Sequence, residues 1–381
     1  MNEFWVVFRR FIFGKVIDFV PSKILKTHLM IQDAIPHKVI EKLKQVLDYD
    51  RVDESVKIDH VRKLLLDFDT SAQEAIRSNL ISEIFKEHAN ASNISSASQA
   101  IKTGLEAYDS AFGGLWPGEF VVVGGRPAMG KSHFLTNIAV NIAAEHDVLF
   151  YSLDNSSFML MARVVASLSN LPVNYYRNGA LNESQQKELD AVKEEIGRLK
   201  LRIVDRQAQS MGAFKALCVK HVEEFGVKVI FVDYLQLLSS NRYRNSRELE
   251  ISHISRELKN LARDLNICVV ATSQLSRSVE QRGGDKRPIL SDLRESGAIE
   301  QDADKVFFLY RPEYYGFRIN DMGMSNERLL ELIMAKNRSG ALERVRLKID
   351  KEFTRFIPFE EIQATFEVNE DRMDDFKEVP F

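Results

Sequence analysis

The chain has 381 residues, 45% hydrophobic and 28% charged, a balance that excludes a disordered or fibrous polymer and leaves apolar material for two domains, or one large domain with an extension. Its 52 Lys and Arg face 55 Asp and Glu, a net charge of −3, so any affinity for nucleic acid has to come from local clusters and not from global basicity. Two cysteines far apart in apolar stretches, Cys218 and Cys268, and eight scattered histidines exclude a disulfide framework and argue against a Cys or His metal cluster; they suit a reducing cytoplasm.

In chain order, Phe4 to Val20 is rich in Phe, Val and Ile, but Arg9, Arg10, Lys15 and Asp18 interrupt it. Those charges defeat a membrane-spanning helix, and no small-residue cleavage site follows. The expectation is a segment buried against the rest of the protein or a partner subunit, with no membrane role. From His37 to about His88 the apolar spacing is helical, as in Val39, Ile40, Leu43, Val46 and Leu47, and in Ile76, Leu80 and Ile84. Residues 1–89 are therefore expected to form a helical N-terminal region. Residues 90–102, which begin Asn90-Ala-Ser-Asn-Ile-Ser-Ser-Ala-Ser98, read as a linker.

Beyond Thr103 short apolar runs alternate with helical stretches. The runs are Phe120–Val123, Val148–Leu153, Leu201–Val204, Val229–Val232, Ile267–Ala271 and Val306–Leu309; the helices fall near 132–145, 156–169, 183–198, 212–225 and 247–265. Strands this apolar are covered on both faces, so the alternation predicts an α/β fold with a mainly parallel sheet flanked by helices. Further strands are expected near 328–335 and 343–349. The domain is expected to span 103–362, and 363–381 to be an acidic tail.

The strongest motif is Gly125-Arg126-Pro127-Ala128-Met129-Gly130-Lys131-Ser132, which fits G-x-x-x-x-G-K-[ST], with His133 next. It follows an apolar run and opens a helical stretch, the context that lets backbone N–H groups cradle phosphate. Lys131 would neutralise the β/γ-phosphates of ATP, and the Ser132 hydroxyl would ligate Mg²⁺. Val229–Asp233 is an apolar strand ending in a carboxylate, so Asp233 is expected to hold the Mg²⁺ shell. Asp154, at the end of the strand after the phosphate-loop helix, is a candidate to activate water. Gln274, at the end of another strand, is a candidate γ-phosphate sensor.

Together with Thr103–Leu105, Val232–Leu238, Ser273–Arg282, Ser291–Asp304 and Ala335–Gly340, the phosphate loop resembles the hexameric replicative DNA helicases of the DnaB family, over roughly residues 101 to 360. Ser291–Asp304 is especially specific, because a generic P-loop ATPase lacks it. The resemblance implies a RecA-like core in a ring of six, with ATP between neighbours, 5′-to-3′ movement on single-stranded DNA and a role at the replication fork. Lys336 and Arg338 match family positions that reach the γ-phosphate of the adjacent subunit, Arg338 as arginine finger. Arg294, Glu295 and Gly297 match the loop that lines the pore and touches the DNA backbone, and Arg277 adds positive charge nearby. Contacts to phosphate without base reading suit a motor that passes over any sequence. Arg242, Arg244 and Arg247 form a second basic group after the Asp233 strand. Primase, a helicase loader and other replisome proteins are the implied partners, in a bacterial or phage-infected cytoplasm.

Two departures from the family stand out. Asp154 occupies a position where the family places Glu, one methylene longer, so slow hydrolysis is expected unless partners tighten the interface. Residues 1–100 do not match the usual helical N-terminal domain. The tail Asp374–Phe381 resembles the acidic, Pro-Phe-ending tip of single-stranded-DNA-binding proteins. The rival readings are another RecA-like ATPase, of the recombination or clock-protein type, and an ATP-binding ring that acts as a scaffold with little catalysis.

Overall fold

Runs of Val, Ile, Leu and Phe form the strands of one large sheet in the computed structural model. It describes residues 100–359, apart from 170, 179–181, 206–209, 241–242, 244–245, 294–296 and 321, in a unit that begins at Ser96. The expectations for the N-terminal region, most of the linker and the acidic tail lie outside the described residues.

The strands are β1 (Phe120–Gly125), β2 (Val148–Ser152), β3 (Leu201–Asp205), β4 (Val229–Asp233), β5 (Cys268–Gln274), β6 (Lys305–Tyr310), β7 (Leu329–Asn337), β8 (Arg344–Ile349) and β9 (Phe356–Pro358). The helices are α1 (Glu106–Phe112), α2 (Lys131–Ala143), α3 (Ser157–Ser169), α4 (Val173–Asn178), α5 (Glu183–Arg198), α6 (Met211–Phe225), α7 (Arg247–Asp264), α8 (Ser278–Gln281) and α9 (Gly297–Asp302). The sheet order is β3-β2-β4-β5-β1-β6-β7-β8-β9. Pairing is parallel from β3 through β6 and antiparallel from β6 through β9.

Alternation along the strands explains the two core layers. Val121, Val123, Phe150, Phe231 and Val270 pack on one face with Phe134, Leu135 and Ile138 of α2 and Phe112 of α1. Phe120, Val122, Tyr151, Ile230 and Val269 pack on the other, with Phe214 of α6 and Ile251, Ile254 and Leu258 of α7. Gly124 of β1 leaves room for the Phe308 ring of β6: a Cβ there would lie 2.8 Å from it. No helix among the described residues is long and apolar enough to cross a membrane.

The strands and long helices expected from periodicity are present. The sequence reading did not foresee β9 or the short helices α1, α4, α8 and α9, which have 3, 7, 6, 4 and 6 residues. Elements this short carry at most about two helical turns of pattern, too little for periodicity to register.

Candidate nucleotide site

β2, β4, β5 and β1 are consecutive neighbours in the sheet, and each delivers one polar group at its carboxyl end. Asp154 follows β2, Asp233 ends β4, Gln274 ends β5, and the loop 125–132 leaves β1. Open α/β sheets place ligands along this edge. A cleft of about 370 Å³ lies there, lined by Pro127, Ala128, Gly130, Lys131, Ser132 and His133 of the loop, by Asp154, Asp233 and Gln274, and by Arg163 and Tyr234.

Backbone geometry prepares the loop for an anion. Ala128 has φ +64° and Gly130 φ +93°, left-handed residues of the kind that turn successive N–H groups toward one concavity. Gly130 caps α2 with no side-chain hydrogen bond, so no side chain occupies the N–H groups at the helix start. Lys131 Nζ folds back onto its own loop, donating to the Gly125 carbonyl at 2.8 Å and the Arg126 carbonyl at 3.1 Å. Burial lowers its pKa to about 8; Asp233 and Asp154 oppose that shift and Arg126 adds to it. A triphosphate binds the protonated amine, so ATP affinity is expected to fall as pH rises through about 8, by up to about tenfold per pH unit. Anisotropy of a fluorescent ATP analogue titrated from about pH 6.5 to 9.5 checks this. Lys131→Met should remove the pH step; a step that survives it would assign the titration to another group.

Asp233 is only 2% exposed, yet its carboxylate opens on the cleft. Thr272 Oγ1 on β5 donates to Asp233 Oδ1 at 2.6 Å, and Asn155 Nδ2 lies 3.5 Å from Oδ2. Among the described residues no group of three or more His, Cys, Asp or Glu forms a metal cage. That donor set fits Mg²⁺, which commonly takes one or two protein oxygens and completes its shell with phosphate and water. Ser132 and Asp233 both line the cleft and are the residues that could supply those two oxygens. Asp154 is exposed and held by a tight turn, in which Ser152 Oγ donates to the Asn155 carbonyl at 2.6 Å and accepts from Asn155 N at 3.0 Å. Gln274 N donates to Gln236 Oε1 at 3.3 Å, and Gln236 Nε2 donates to Ser273 Oγ at 2.8 Å, which steadies the end of β5.

Several expected residues sit otherwise than the motif suggests. The side chains of Arg126 and Met129 do not line the cleft, so the two residues can join it only through backbone. Met129 is buried in the core. The Arg126 guanidinium turns to Glu280 Oε1 and to the Leu275 carbonyl, both at 2.8 Å, because a cation in a nearly buried position needs fixed acceptors. Gly125 contributes its carbonyl to Lys131 and is likewise absent from the lining. His133 lines the cleft against Phe356, with ring centroids 4.8 Å apart. Burial, reinforced by the charge of Arg163, pushes its pKa down to about 4, so it is neutral at pH 7 and adds no charge toward phosphate.

Arg163 was not foreseen. It donates from Nη2 to Asn155 Oδ1 at 3.2 Å, while its buried Nη1 has no protein partner. Burial lowers its pKa, and Asp233 and Asp154 act in the opposite sense. The available signal was a single cation inside the otherwise uncharged helix Ser157–Ser169. An Arg in such a place has to be paired or to face a site.

Lys336 and Arg338 lie at the other end of the sheet. Lys336 stands opposite Val306 and Asn337 opposite Lys305, and Lys305 is beside Val121, near the amino end of β1. The phosphate loop leaves the carboxyl end of β1, several residues away at roughly 3.3 Å each, so these cations cannot serve their own loop. Lys336 Nζ donates to the carbonyls of Glu300, Gln301 and Ala303 at the end of α9. Gly297 is exposed at the start of α9 and Arg277 is exposed just before α8, while Arg294, Glu295, Arg242 and Arg244 lie outside the described residues. Arg247 pairs with Glu250 and donates to the Gln236 carbonyl. A larger cavity of about 510 Å³ also lies at the amino end of β1 and β6, beside Trp116, Lys305 and Ser339, away from the phosphate loop.

Residues 100–358 match the family described as the DnaB-like helicase C terminal domain. The chain is similar to the replicative DNA helicase DnaC of Bacillus subtilis, 39% identical over 263 residues that cover 68% of this chain and 57% of that protein. It is also similar to the replicative DNA helicase DnaB of Haemophilus influenzae, 40% identical over 264 residues that cover 67% and 54%. The chain thus spans little more than half the length of these curated relatives. Among solved structures, a DnaB-like replicative helicase, described with its interactions with primase, superposes with TM-score 0.67 at 31% identity, covering 85% of this chain and 76% of that one. A second structure, of an ATPase domain, superposes with TM-score 0.66 at 32% identity, covering 74% and 99%. These likenesses bear out the α/β RecA-like core.

Proposed function

The chain belongs to the DnaB-like helicase C-terminal domain family, and on that premise we propose that it is an ATP-driven ring helicase that translocates 5′-to-3′ on single-stranded DNA and unwinds duplex at a replication fork. The observation that carries this reading is the convergence of the phosphate loop, Asp154, Asp233 and Gln274 along one edge of four adjacent strands.

In this reading the loop N–H groups and Lys131 bind the β- and γ-phosphates, with Lys131 exchanging its loop carbonyls for phosphate oxygens. Ser132 and Asp233 would hold Mg²⁺, with Thr272 orienting the Asp233 carboxylate, and the bound ion would neutralise charge on the phosphates. Asp154 orients the attacking water and accepts its proton, and Gln274 contacts the γ-phosphate. Arg338, with Lys336 beside it, completes the site of a neighbouring copy. The support for action in trans is the position of both cations at the amino end of β1, opposite their own phosphate loop.

The end of β5 offers a route from nucleotide to DNA. Leu275, next to Gln274, forms a β-bridge with Leu293, and Ser276 N donates to the Asp292 carbonyl at 2.9 Å. Movement of Gln274 would therefore pull directly on the segment that leads into Arg294, Glu295 and Gly297, which contact the DNA backbone with Arg277. The working assembly is a homo-hexamer in a bacterial or phage-infected cytoplasm. The domain 103–362 is its motor, and the region 1–89, the linker and the tail 363–381 are surfaces for primase, a loader or other replisome proteins. Asp154 in place of Glu favours a second reading, a weakly hydrolysing scaffold.

The test is ATP hydrolysis with and without single-stranded DNA, on protein whose hexamer content is checked by light scattering. The motor reading expects turnover that DNA stimulates several-fold. ATP binding without turnover, with or without DNA, would move the assignment to the scaffold.

A further inference from the structure

Arg338 follows the end of β7, and its side chain is 47% exposed. A long side chain that has to meet a neighbour's phosphate within a fraction of an ångström needs a fixed base, since a misplacement of about 1 Å can cost on the order of 100-fold in rate. That base is Asp304, only 8% exposed, immediately before β6. Its Oδ2 accepts from Phe120 N at 2.8 Å and from Lys259 Nζ at 2.6 Å, and its Oδ1 faces Arg338 Nη1 at 3.3 Å. The main chain repeats the connection: Arg338 N donates to the Asp304 carbonyl at 3.0 Å, and Asp304 N donates to the Phe120 carbonyl at 2.8 Å. Arg338 Nη2 donates to the Gln301 carbonyl. Of the five N–H donors of a guanidinium, Asp304 and Gln301 engage two, and the others remain for a ligand.

We propose that Asp304 is the positioning residue of the arginine finger: it anchors Arg338 to the amino end of β1, the strand whose carboxyl end carries the phosphate loop. This rests on the reading of Arg338 as a cation that acts on a neighbouring subunit's ATP. Each subunit's reach toward its neighbour is then tied, through one six-residue strand, to its own nucleotide loop. Lys336 does not supply that tie, because it is taken up by the carbonyls at the end of α9.

The test uses full-length chains assembled as rings. Asp304→Asn keeps an oxygen for Phe120 N but removes the charge facing Arg338, so kcat should fall roughly 10- to 100-fold with the KM for ATP changed by less than about twofold. The double variant Asp304→Asn/Arg338→Ala should be no slower than Arg338→Ala alone, because both changes remove one device. Mixing Asp304→Asn chains with Lys131→Met chains should raise turnover above either alone, since an intact phosphate loop of the first then meets an intact Asp304–Arg338 pair of the second. A purely structural role would give no recovery on mixing and additive losses in the double variant, and either result overturns the proposal. Should Asp304→Asn fail to assemble, Asp304→Glu, which keeps the charge opposite Lys259 but displaces the carboxylate that holds Arg338 by about one methylene, carries the same comparisons. Wild-type kcat in Arg338→Ala would instead remove the trans reading, and the proposal with it; a normal Asp304→Asn beside a crippled Arg338→Ala would remove the proposal alone.

Discussion

Arg338→Ala is expected to lower ATP turnover of the assembled ring by roughly 10³-fold or more, while ATP binding changes by only a few-fold. The physical basis is the proposed role in trans: a guanidinium that meets charge developing only as the γ-phosphoryl group transfers lowers kcat, not ground-state affinity, when it is lost. Position keeps that effect apart from the chain's own nucleotide site. Arg338 follows β7, whose end is registered on the amino end of β6 and thus of β1, while Lys131 opens the helix beyond the other end. Removing Arg338 therefore leaves the chain's own phosphate cradle untouched. Arg338→Lys should recover little, because an ammonium lacks the planar fork that spans two phosphate oxygens. Steady-state turnover and nucleotide anisotropy on the same rings separate the two effects. A large loss of affinity with unchanged kcat would return Arg338 to a binding role.

Asp154→Ala is expected to reduce kcat by about 10²- to 10⁴-fold, the usual contribution of a general base. Asp154→Glu should do the opposite and raise turnover above the natural chain, by up to roughly 100-fold if about 1 Å of reach is what the shorter side chain lacks. The turn that holds Asp154 makes this a sharp test. Ser152 and Asn155 fix the backbone on either side, and Asn155 also contacts Asp233 and Arg163, so the loop cannot advance to compensate for a missing methylene. Single-turnover hydrolysis in the presence of single-stranded DNA measures the chemical step directly. Equal rates for Asp154, Ala and Glu at this position would show that another group activates water.

The phosphate loop was legible in the sequence because its residues are contiguous: the apolar run, the loop glycines, Lys131 and Ser132 together encode a strand, a turn and a helix N-terminus. The parallel sheet was legible for a related reason, since strands covered on both faces have to be apolar along their whole length. Asp154, Asp233 and Gln274 could be named because each ends such a run. Other features left little local trace. Arg163 enters the cleft from α3 nine positions after Asp154, and only the packing of α3 brings it to Asp233. The Arg126 side chain belongs to the motif but leaves the site for Glu280 and Leu275, a choice made by acceptors about 150 residues away.

Sequence alone thus named the phosphate loop, Asp154, Asp233 and Gln274, which the structure brings to one edge, because a strand and the residue that ends it are neighbours in the chain. Tertiary structure decided which residues gather at the amino end of β1. Asp304, Lys259, Phe120 and Arg338 meet only once β6 and β7 have paired and α7 has packed against the sheet. A buried carboxylate with partners 45, 184 and 34 positions away is specified by long-range packing, which no local pattern of residues records.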